Sequence, residues 1–308
     1  MNAARIEIVV VTWNSASVLG GLLDSLPAGL GGQNYHLTVV DNDSADETVA
    51  LTEGWLREHP DVDGGVLPTG GNLGYAAAIN AALRQAEPYT SALILNPDVR
   101  LEPGTVRPML DLLEAPGEPG APATGIVVPC MYSTQGELAY SLRREPSIPR
   151  AFGEAVLGGR AGRVSWLGES VLDPAAYRAS TTVDWATGAI LLISARCLEQ
   201  CGPWDESFFL YSEETEFALR ARDNGFATRL APEAKATHIG GDSHTSARLW
   251  ALLSVNRVRL YRRRHPWPAT ALYWCAVLLR EAPRAALGRR TSRAAVTALL
   301  RLRPVNVP

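Results

Sequence analysis

A handful of polar clusters carry the residue types from which a catalytic site is built: Asp41-Asn42-Asp43, Asn72-Leu73-Gly74, Asn96-Pro97-Asp98, Glu213 with Glu214 and Glu216, and His238. Carboxylates and an imidazole can hold a divalent cation or accept a proton, and a glycine beside a polar residue lets the backbone approach a phosphate closely. Taken alone, the first three read better as an Asx turn, a helix entry and a β-turn, and a lone histidine as a satisfied structural residue. Glu216 stands four residues before Arg220, the favourable order for an i,i+4 ion pair. Order along the chain is the informative feature. A nucleotide diphosphate needs polar partners for its base, close backbone at its phosphates and a cation on the pyrophosphate, and the three N-terminal clusters supply these in that sequence.

The elements around the clusters point to an α/β fold. Ile6 to Val11 is a continuous apolar run, as in a parallel strand buried on both faces, and Val18, Leu19, Leu22, Leu23 and Leu26 then recur at helical spacing. Leu37 to Val40 reads as a second strand, and Ser44 with Glu47 as a capping box opening a helix. Ala76 to Ala86 reads as a helix and Ala92 to Leu95 as a strand. The alternation predicts a doubly wound sheet, with each polar cluster just past a strand's carboxyl end, where open α/β sheets bind ligands. Ala115 to Gly125, rich in Pro, Gly and Ala, marks a seam. Beyond it, strands are expected over Gly125 to Val128, Leu138 to Leu142 and Val183 to Ile193, an irregular stretch over Arg143 to Thr182, and a polar helix over Glu213 to Arg222. The expected organisation is a domain over residues 1–245, with a nucleotide-binding half (1–114) and an acceptor half (125–245), followed by a basic helical segment over 246–308.

Net charge is only −3, but its distribution is uneven. Thirteen arginines against Glu281 give Arg248 to Arg303 a charge of +12, leaving −15 on the remainder. A basic segment on an acidic body fits an anionic surface, such as a membrane leaflet or a phosphate-bearing acceptor, or else a solvated helical face. Trp250, Leu253, Trp267, Leu272, Tyr273 and Trp274 add interfacial side chains to it. Cys130, Cys197, Cys201 and Cys275 do not make a disulfide framework or a zinc site and are expected as buried thiols, the pair 197/201 at helical spacing. The N-terminus lacks the features of a signal peptide, and the uncharged run His265 to Leu279 is short and interrupted by proline, so a cytoplasmic location is expected, peripheral to the membrane if the basic segment docks there.

Together the motifs resemble the family-two inverting glycosyltransferases with the GT-A fold. The resemblance rests on VVVTWNS (Val9 to Ser15), VVDNDSADET (Val39 to Thr48), GNLGYAAAIN (Gly71 to Asn80), LILNPDVRLEPG (Leu93 to Gly104), DWATGAILLI (Asp184 to Ile193), GPWDESFFLYSEETEF (Gly202 to Phe217) and HIGGDS (His238 to Ser243). LPTGGNLGY and NPDV are most similar to bacterial rhamnosyltransferases. The resemblance implies nucleotide contacts by Thr12, Asn14, Asp41, Asn72, Gly74 and Asn96. It places Asn96-Pro97-Asp98 where the family has its D-x-D metal motif, so that Asp98 with His238 would hold Mg²⁺ or Mn²⁺. Trp185, Thr187, Gly188, Trp204 and Asp205 match the family's acceptor and donor-sugar side. Glu213 and Glu214 match its E-D pair, with Glu where Asp is usual, and Glu214 falls at the position of the general base. The implied donor is dTDP-rhamnose, or alternatively a UDP-hexose, and the implied acceptor a glycan, lipid-linked glycan or small molecule.

Two rival readings are weaker. A dinucleotide-dependent oxidoreductase would show G-x-G-x-x-G after the first strand, and none is present. A catalytically inactive sugar-nucleotide binder would be favoured by loss of Asp98 or the glutamate pair, and both are retained. No aromatic platform accompanies the arginines, so nucleic acid is not an expected partner.

Overall fold

A computed structural model describes residues 5–117, 120–240 and 246–301. Four parallel strands open the fold: β1 (Ile6–Thr12), β2 (Tyr35–Asp41), β3 (Gly64–Pro68) and β4 (Ser91–Leu95). All seven residues of β1 and all five of β4 are buried, the burial their unbroken apolar runs imply. Alternate side chains sort to opposite faces. Ile6, Ile8 and Val10 pack with Leu19, Leu22, Leu23 and Leu26 of α1 (Ala16–Leu30), with Trp55 of α2 (Thr48–Glu58) and with Met109 and Leu110 of α4 (Val106–Glu114). Val9 and Val11 pack with Ala78, Ile79 and Ala82 of α3 (Tyr75–Gln85).

The second half completes the sheet in mixed sense. β5 (Val99–Leu101), β6 (Ala123–Tyr132), β11 (Ile190–Ser194) and β12 (Phe226–His238) give the order β3-β2-β1-β4-β11-β6-β12-β5. The short β7 (Leu138–Ala139) pairs with β6 and β9 (Thr182–Val183) with β12, while β8 (Leu142–Arg143) and β10 (Trp185–Ala186) form a separate two-stranded ladder. Helices α5 (Ile148–Leu157), α6 (Ala195–Cys201) and α7 (Glu213–Asp223) complete this half. β12 shifts register across Pro232 to Ala234, a bulge at the residue that cannot donate to a ladder, and its last residues then pair with β5. That bend carries His238 to the position opposite Val99, next to Asp98.

Several expectations are corrected. Ser44 does not cap a helix: α2 begins at Thr48, and the Ser44 hydroxyl instead accepts the Asn14 N–H at 2.8 Å. The expected strand over Val183 to Ile193 is broken by a turn at Thr187 to Ala189, and Leu138 to Leu142 divides between two sheets. The stretch expected to be irregular contains α5, whose N-cap Ser147 accepts the Arg150 N–H. Cys197 and Cys201 lie buried with their sulfurs 3.9 Å apart, and Cys130 is buried, but Cys275 is exposed.

Three helices end the described chain: α8 (Ala247–Arg264), α9 (Trp267–Ala286) and α10 (Arg290–Arg301). They share a small core with α5, in which Ala151 meets Tyr261, Tyr273, Ala276, Val277 and Leu299. Much of their charge is spent on the acidic body. Arg257 pairs with Glu154 and Glu169, Arg263 with Asp205, Arg264 with Glu145 and Asp223, and Arg280 with Glu154. Tyr273, expected among interfacial side chains, is fully buried and hydrogen-bonds Glu169. No described helix is long and apolar enough to cross a membrane.

Candidate active site

The loops after β1 and β2 are knitted into one floor. Thr12 is buried and its hydroxyl donates to the Val40 carbonyl and to Asp41 Oδ1, at 3.1 and 3.2 Å. Asp41 Oδ2 accepts the Ser44 N–H at 3.0 Å. Asn14 adopts the left-handed region at φ 50°, which asparagine tolerates, and its side-chain carbonyl accepts the Ala45 N–H at 2.8 Å. Asn14 thus staples the two loops together. The amide of Asn42 donates to the Gly74 carbonyl, bringing the third cluster alongside.

Asn72 Oδ1 accepts the Gly74 N–H at 3.3 Å at the entry to α3. Gly74 sits at φ 89°, and a Cβ there would fall 2.3 Å from the Phe209 carbonyl oxygen, so this close approach of two loops requires glycine. The next residue, Tyr75, received no role in the sequence reading. Its N–H donates to Phe209 O at 2.9 Å, and its hydroxyl to Asn96 Oδ1 at 3.0 Å and to the Gly188 carbonyl at 3.3 Å. Burial, then the charges of Glu213, Glu214 and Asp98, push its phenol well above the ordinary value, so it remains a neutral donor joining the two halves of the site. Its place directly after Asn-Leu-Gly was the available signal.

Asp98 and His238 meet as the motifs suggest, with Oδ2 3.2 Å from Nε2. Asp98 Oδ2 also accepts the Gly240 N–H at 2.9 Å, and its backbone carbonyl accepts that of Ile239. Burial works to raise the Asp98 carboxyl, but the hydrogen bond and charge of His238 and the Gly240 N–H outweigh it and hold the carboxyl below its usual value. One carboxylate and one imidazole, both part exposed, face each other here; among the described residues no group of three or more His, Cys, Asp or Glu side chains gathers at one point, so a cation held here would take its remaining ligands from phosphate and water. Gly241, Asp242 and Ser243 of the same motif lie outside the described residues.

On the opposite side, the N-terminus of α7 presents Glu213 and Glu214. Glu213 is 3% exposed, and one oxygen of each carboxylate is buried without a hydrogen-bond partner among the described residues. Thr187 Oγ1 and Ser141 Oγ are orphaned in the same way, on either side of the Thr187 N–H to Ser141 O bond. Buried polar atoms are rarely left unmatched, so these orphaned oxygens mark the turn and the glutamate pair as places short of polar partners. Gly188 lies against Glu214: an added Cβ would meet the Glu214 Cβ at 3.2 Å and Cγ at 3.4 Å. Burial, then the charge of Glu214, raises Glu213 well above the ordinary carboxylate value. Burial also raises Glu214, opposed by backbone N–H groups and by the charge of Arg143. Trp185 borders this side, its indole N–H donating to Arg144 O at 3.0 Å and its ring facing Arg143. Glu216 pairs with Arg220 at 2.8 Å, leaving it outside the group.

Two matched residues do not reach the cleft. Trp204 is 2% exposed and stacks on Phe217 with ring centroids 4.5 Å apart, so it packs the core instead of touching a sugar. Asp205 is taken up by Arg263 of α8 and by the Ser207 N–H, which makes it a loop anchor.

An open, mixed α/β sheet, with an acid and a histidine beyond its strand ends and a buried carboxylate pair across from them, is the GT-A class of sugar transferase. The chain belongs to glycosyl transferase family 2, whose model matches residues 7–161. It is a glycosyltransferase. It is 28% identical over 246 residues to an N-acetylglucosaminyl-diphospho-decaprenol L-rhamnosyltransferase of Mycobacterium tuberculosis, covering 76% of this chain and 75% of that one. It is 28% identical over 221 residues to the low-salt glycan biosynthesis hexosyltransferase Agl10 of Haloferax volcanii, covering 70% and 61%. Among solved structures it is similar to the mannosyltransferase PcManGT from Pyrobaculum calidifontis in complex with GDP-Man and Mn²⁺, with TM-score 0.58, 17% identity and coverage of 98% and 82%. GalNAc-T7 with UDP, GalNAc and Mn²⁺ gives TM-score 0.60 at 13% identity, covering 85% and 48%. These likenesses bear on the fold.

Proposed function

We propose that this protein transfers rhamnose from dTDP-rhamnose, with inversion, to a hydroxyl of a lipid-linked glycan. The observation that carries the catalytic part is the carboxylate pair Glu213/Glu214, buried, short of partners and tied through Tyr75 and Gly188 to the Asp98 side of the cleft. In this reading Thr12, Asn14 and Asp41 shape the floor for the base, Asn72 and Gly74 bring backbone to the ribose and phosphates, and Asn96 orients Tyr75. Asp98 and His238 would hold Mg²⁺ or Mn²⁺, which would supply positive charge against the departing diphosphate. The acceptor hydroxyl attacks the anomeric carbon from the far side as the bond to the nucleotide diphosphate breaks. Glu214 takes that hydroxyl's proton, with Trp185, Thr187 and Gly188 lining the acceptor side. The named activity of the mycobacterial relative supports both the rhamnosyl donor and the lipid-linked acceptor. With purified protein and Mn²⁺, a panel of dTDP-rhamnose, UDP-hexoses and GDP-mannose is expected to give turnover with dTDP-rhamnose. Robust turnover with a UDP-hexose and none with dTDP-rhamnose rejects the donor.

A lipid-linked acceptor also gives the C-terminal helices a role, and we place the protein at the cytoplasmic face of a membrane on that basis. Arg280, Arg284, Arg289 and Arg290 line one cavity of about 420 Å³ with Trp250, Thr291 and Ser292. Among the described residues, Arg289 and Arg290 make no ion pair, and Leu287, 86% exposed, stands beside them. Unpaired guanidinium groups beside exposed apolar side chains suit an anionic leaflet. Flotation with vesicles containing anionic lipid is expected to carry the protein up, less so as salt rises, and Arg289→Glu with Arg290→Glu is expected to abolish it. Equal behaviour with neutral and anionic vesicles removes the membrane from the proposal.

A further inference from the structure

The loop that delivers the glutamate pair is held in an unfavourable backbone conformation by a residue from the C-terminal helices. Tyr211 and Ser212, the two residues before Glu213, both lie in the left-handed region, at φ 69° and 76°, although neither is glycine. Such positions persist only where surrounding structure over-determines them. Ser212 offers α7 no side-chain cap. Asn256, fully buried on α8, holds the turn by its carbonyls: its Nδ2 donates to the Leu210 carbonyl at 2.9 Å and the Tyr211 carbonyl at 3.2 Å, while the Tyr211 and Ser212 N–H groups serve the Glu213 and Glu214 carboxylates. Its Oδ1 is in turn fixed by Arg259 at 3.2 Å. The same helix grips the start of the loop, where Arg263 pairs with Asp205, donates to Ser207 Oγ at 2.6 Å and lies 4.5 Å over the Phe208 ring. The loop is therefore clamped between α8 on one side and Tyr75 of α3, at Phe209 O, on the other.

We propose that Asn256 is a positioning residue of the transferase: by bonding two successive carbonyls it holds the left-handed turn that aims Glu213 and Glu214 at the cleft. α8 thereby belongs to the catalytic unit. The inference rests on the reading of Glu214 as the reacting base, since without that reading the clamp would be a structural feature alone. A relaxed turn would rotate the first turn of α7 and withdraw both carboxylates from Gly188 and Tyr75, leaving the nucleotide floor at β1 and β2 intact.

The full chain carries the test, with Asn256→Ala, Asn256→Asp, which keeps the shape and removes the donor, and Arg263→Gln as a variant at a more exposed position. Hydrogen exchange, steady-state rates and nucleotide diphosphate affinity are measured on each. Expected are faster exchange confined to residues 209–216 and a kcat lowered by about a hundredfold in the Asn256 variants, the scale on which small misplacements act. Nucleotide affinity should stay within about twofold and Arg263→Gln should show the same split more mildly. Unchanged exchange at 209–216 in all three variants overturns the clamp. Faster exchange there with unchanged kcat overturns the positioning role of Asn256, and the rate of Glu214→Gln measured alongside decides the base assignment separately. Parallel loss of nucleotide affinity and stability marks Asn256 as an ordinary core residue and overturns the proposal.

Discussion

Glu214→Gln is expected to lower turnover by roughly a hundredfold or more, the usual scale for loss of a general base, with nucleotide-sugar affinity little changed. The two adjacent carboxylates share one buried environment, and ionising both is costly. Backbone N–H groups and the Arg143 charge act on Glu214 in favour of its carboxylate, whereas the Glu214 charge acts on Glu213 against ionisation. Both carboxyls are raised, Glu213 the more strongly, so of the two Glu214 has the surroundings that better favour a carboxylate. Only an ionised carboxylate accepts a proton, and Glu214 is the member in contact with Gly188 at the acceptor turn. Glu213→Gln mimics the protonated state and should be milder, and Glu214→Asp should retain partial activity. The sign of the pH effect on stability follows from the same shifts. A carboxyl raised in the folded state favours folding at acid pH, and that contribution is lost as pH rises through its folded value. Glu213→Gln should then raise the melting temperature at neutral and alkaline pH, a gain that vanishes on acidification below the ordinary carboxylate range. Should Glu214→Gln turn over near the wild-type rate while Glu213→Gln is inactive, the roles are reversed.

The strands that were legible in the sequence are those with a single dominant constraint. β1, β2 and β4 lie in the interior of the sheet, so their apolar runs report burial directly. β3 carries two glycines and a proline and lies at the sheet edge with mostly half-buried residues, so its composition resembles a loop. β12 is hidden differently: Pro232 and Glu233 interrupt its pattern at the bulge that turns it toward β5. The Ser147-Ile148-Pro149 opening of α5 is a readable helix start, but glycines and arginines beyond it dilute the periodicity. The Ser44–Glu47 spacing failed because short polar side chains serve loops as readily as helix ends, and here both flanking loops compete for them.

The site followed the same division. Asp98 with His238, and Glu214 with Gly188, are brought together by the fold, and the family resemblance of their motifs, not a strand readable in the sequence, pointed to them. Trp204 and Asp205 share their motif with the glutamates but not their surroundings: one faces the core and the other faces α8. Proximity in sequence says nothing about which way a side chain points once the chain turns through Tyr211 and Ser212. Asn256 was illegible for the opposite reason, since its partners lie 45 and 46 residues earlier and a single asparagine in an arginine-rich helix carries no pattern.

Asp98→Ala is expected to reduce metal-dependent binding of dTDP or UDP to the level the wild-type protein shows in EDTA, a loss of about a hundredfold or more if a cation bridges protein and diphosphate. A second function of Asp98 complicates the reading of alanine alone, because its Oδ2 also accepts the Gly240 N–H and so fixes the start of the segment after His238. Asp98→Asn separates the two: its amide oxygen can still accept that N–H, but the negative charge that a divalent ion requires is gone. If the charge matters for the cation, Asn and Ala should be equally deficient with Mn²⁺ present and equal to wild type without it. His238→Ala should follow in the same direction, weakly for Mg²⁺ and more strongly for Mn²⁺, which takes imidazole nitrogen more readily. Thermal shift with and without nucleotide measures all of these, because a ligand at a hundred times its Kd stabilises the folded protein by about 2.7 kcal/mol. Asp98→Ala binding nucleotide as tightly as wild type in the presence of metal would remove the cation from this site. Nucleotide affinity then would rest on the Thr12, Asp41 and Gly74 loops alone.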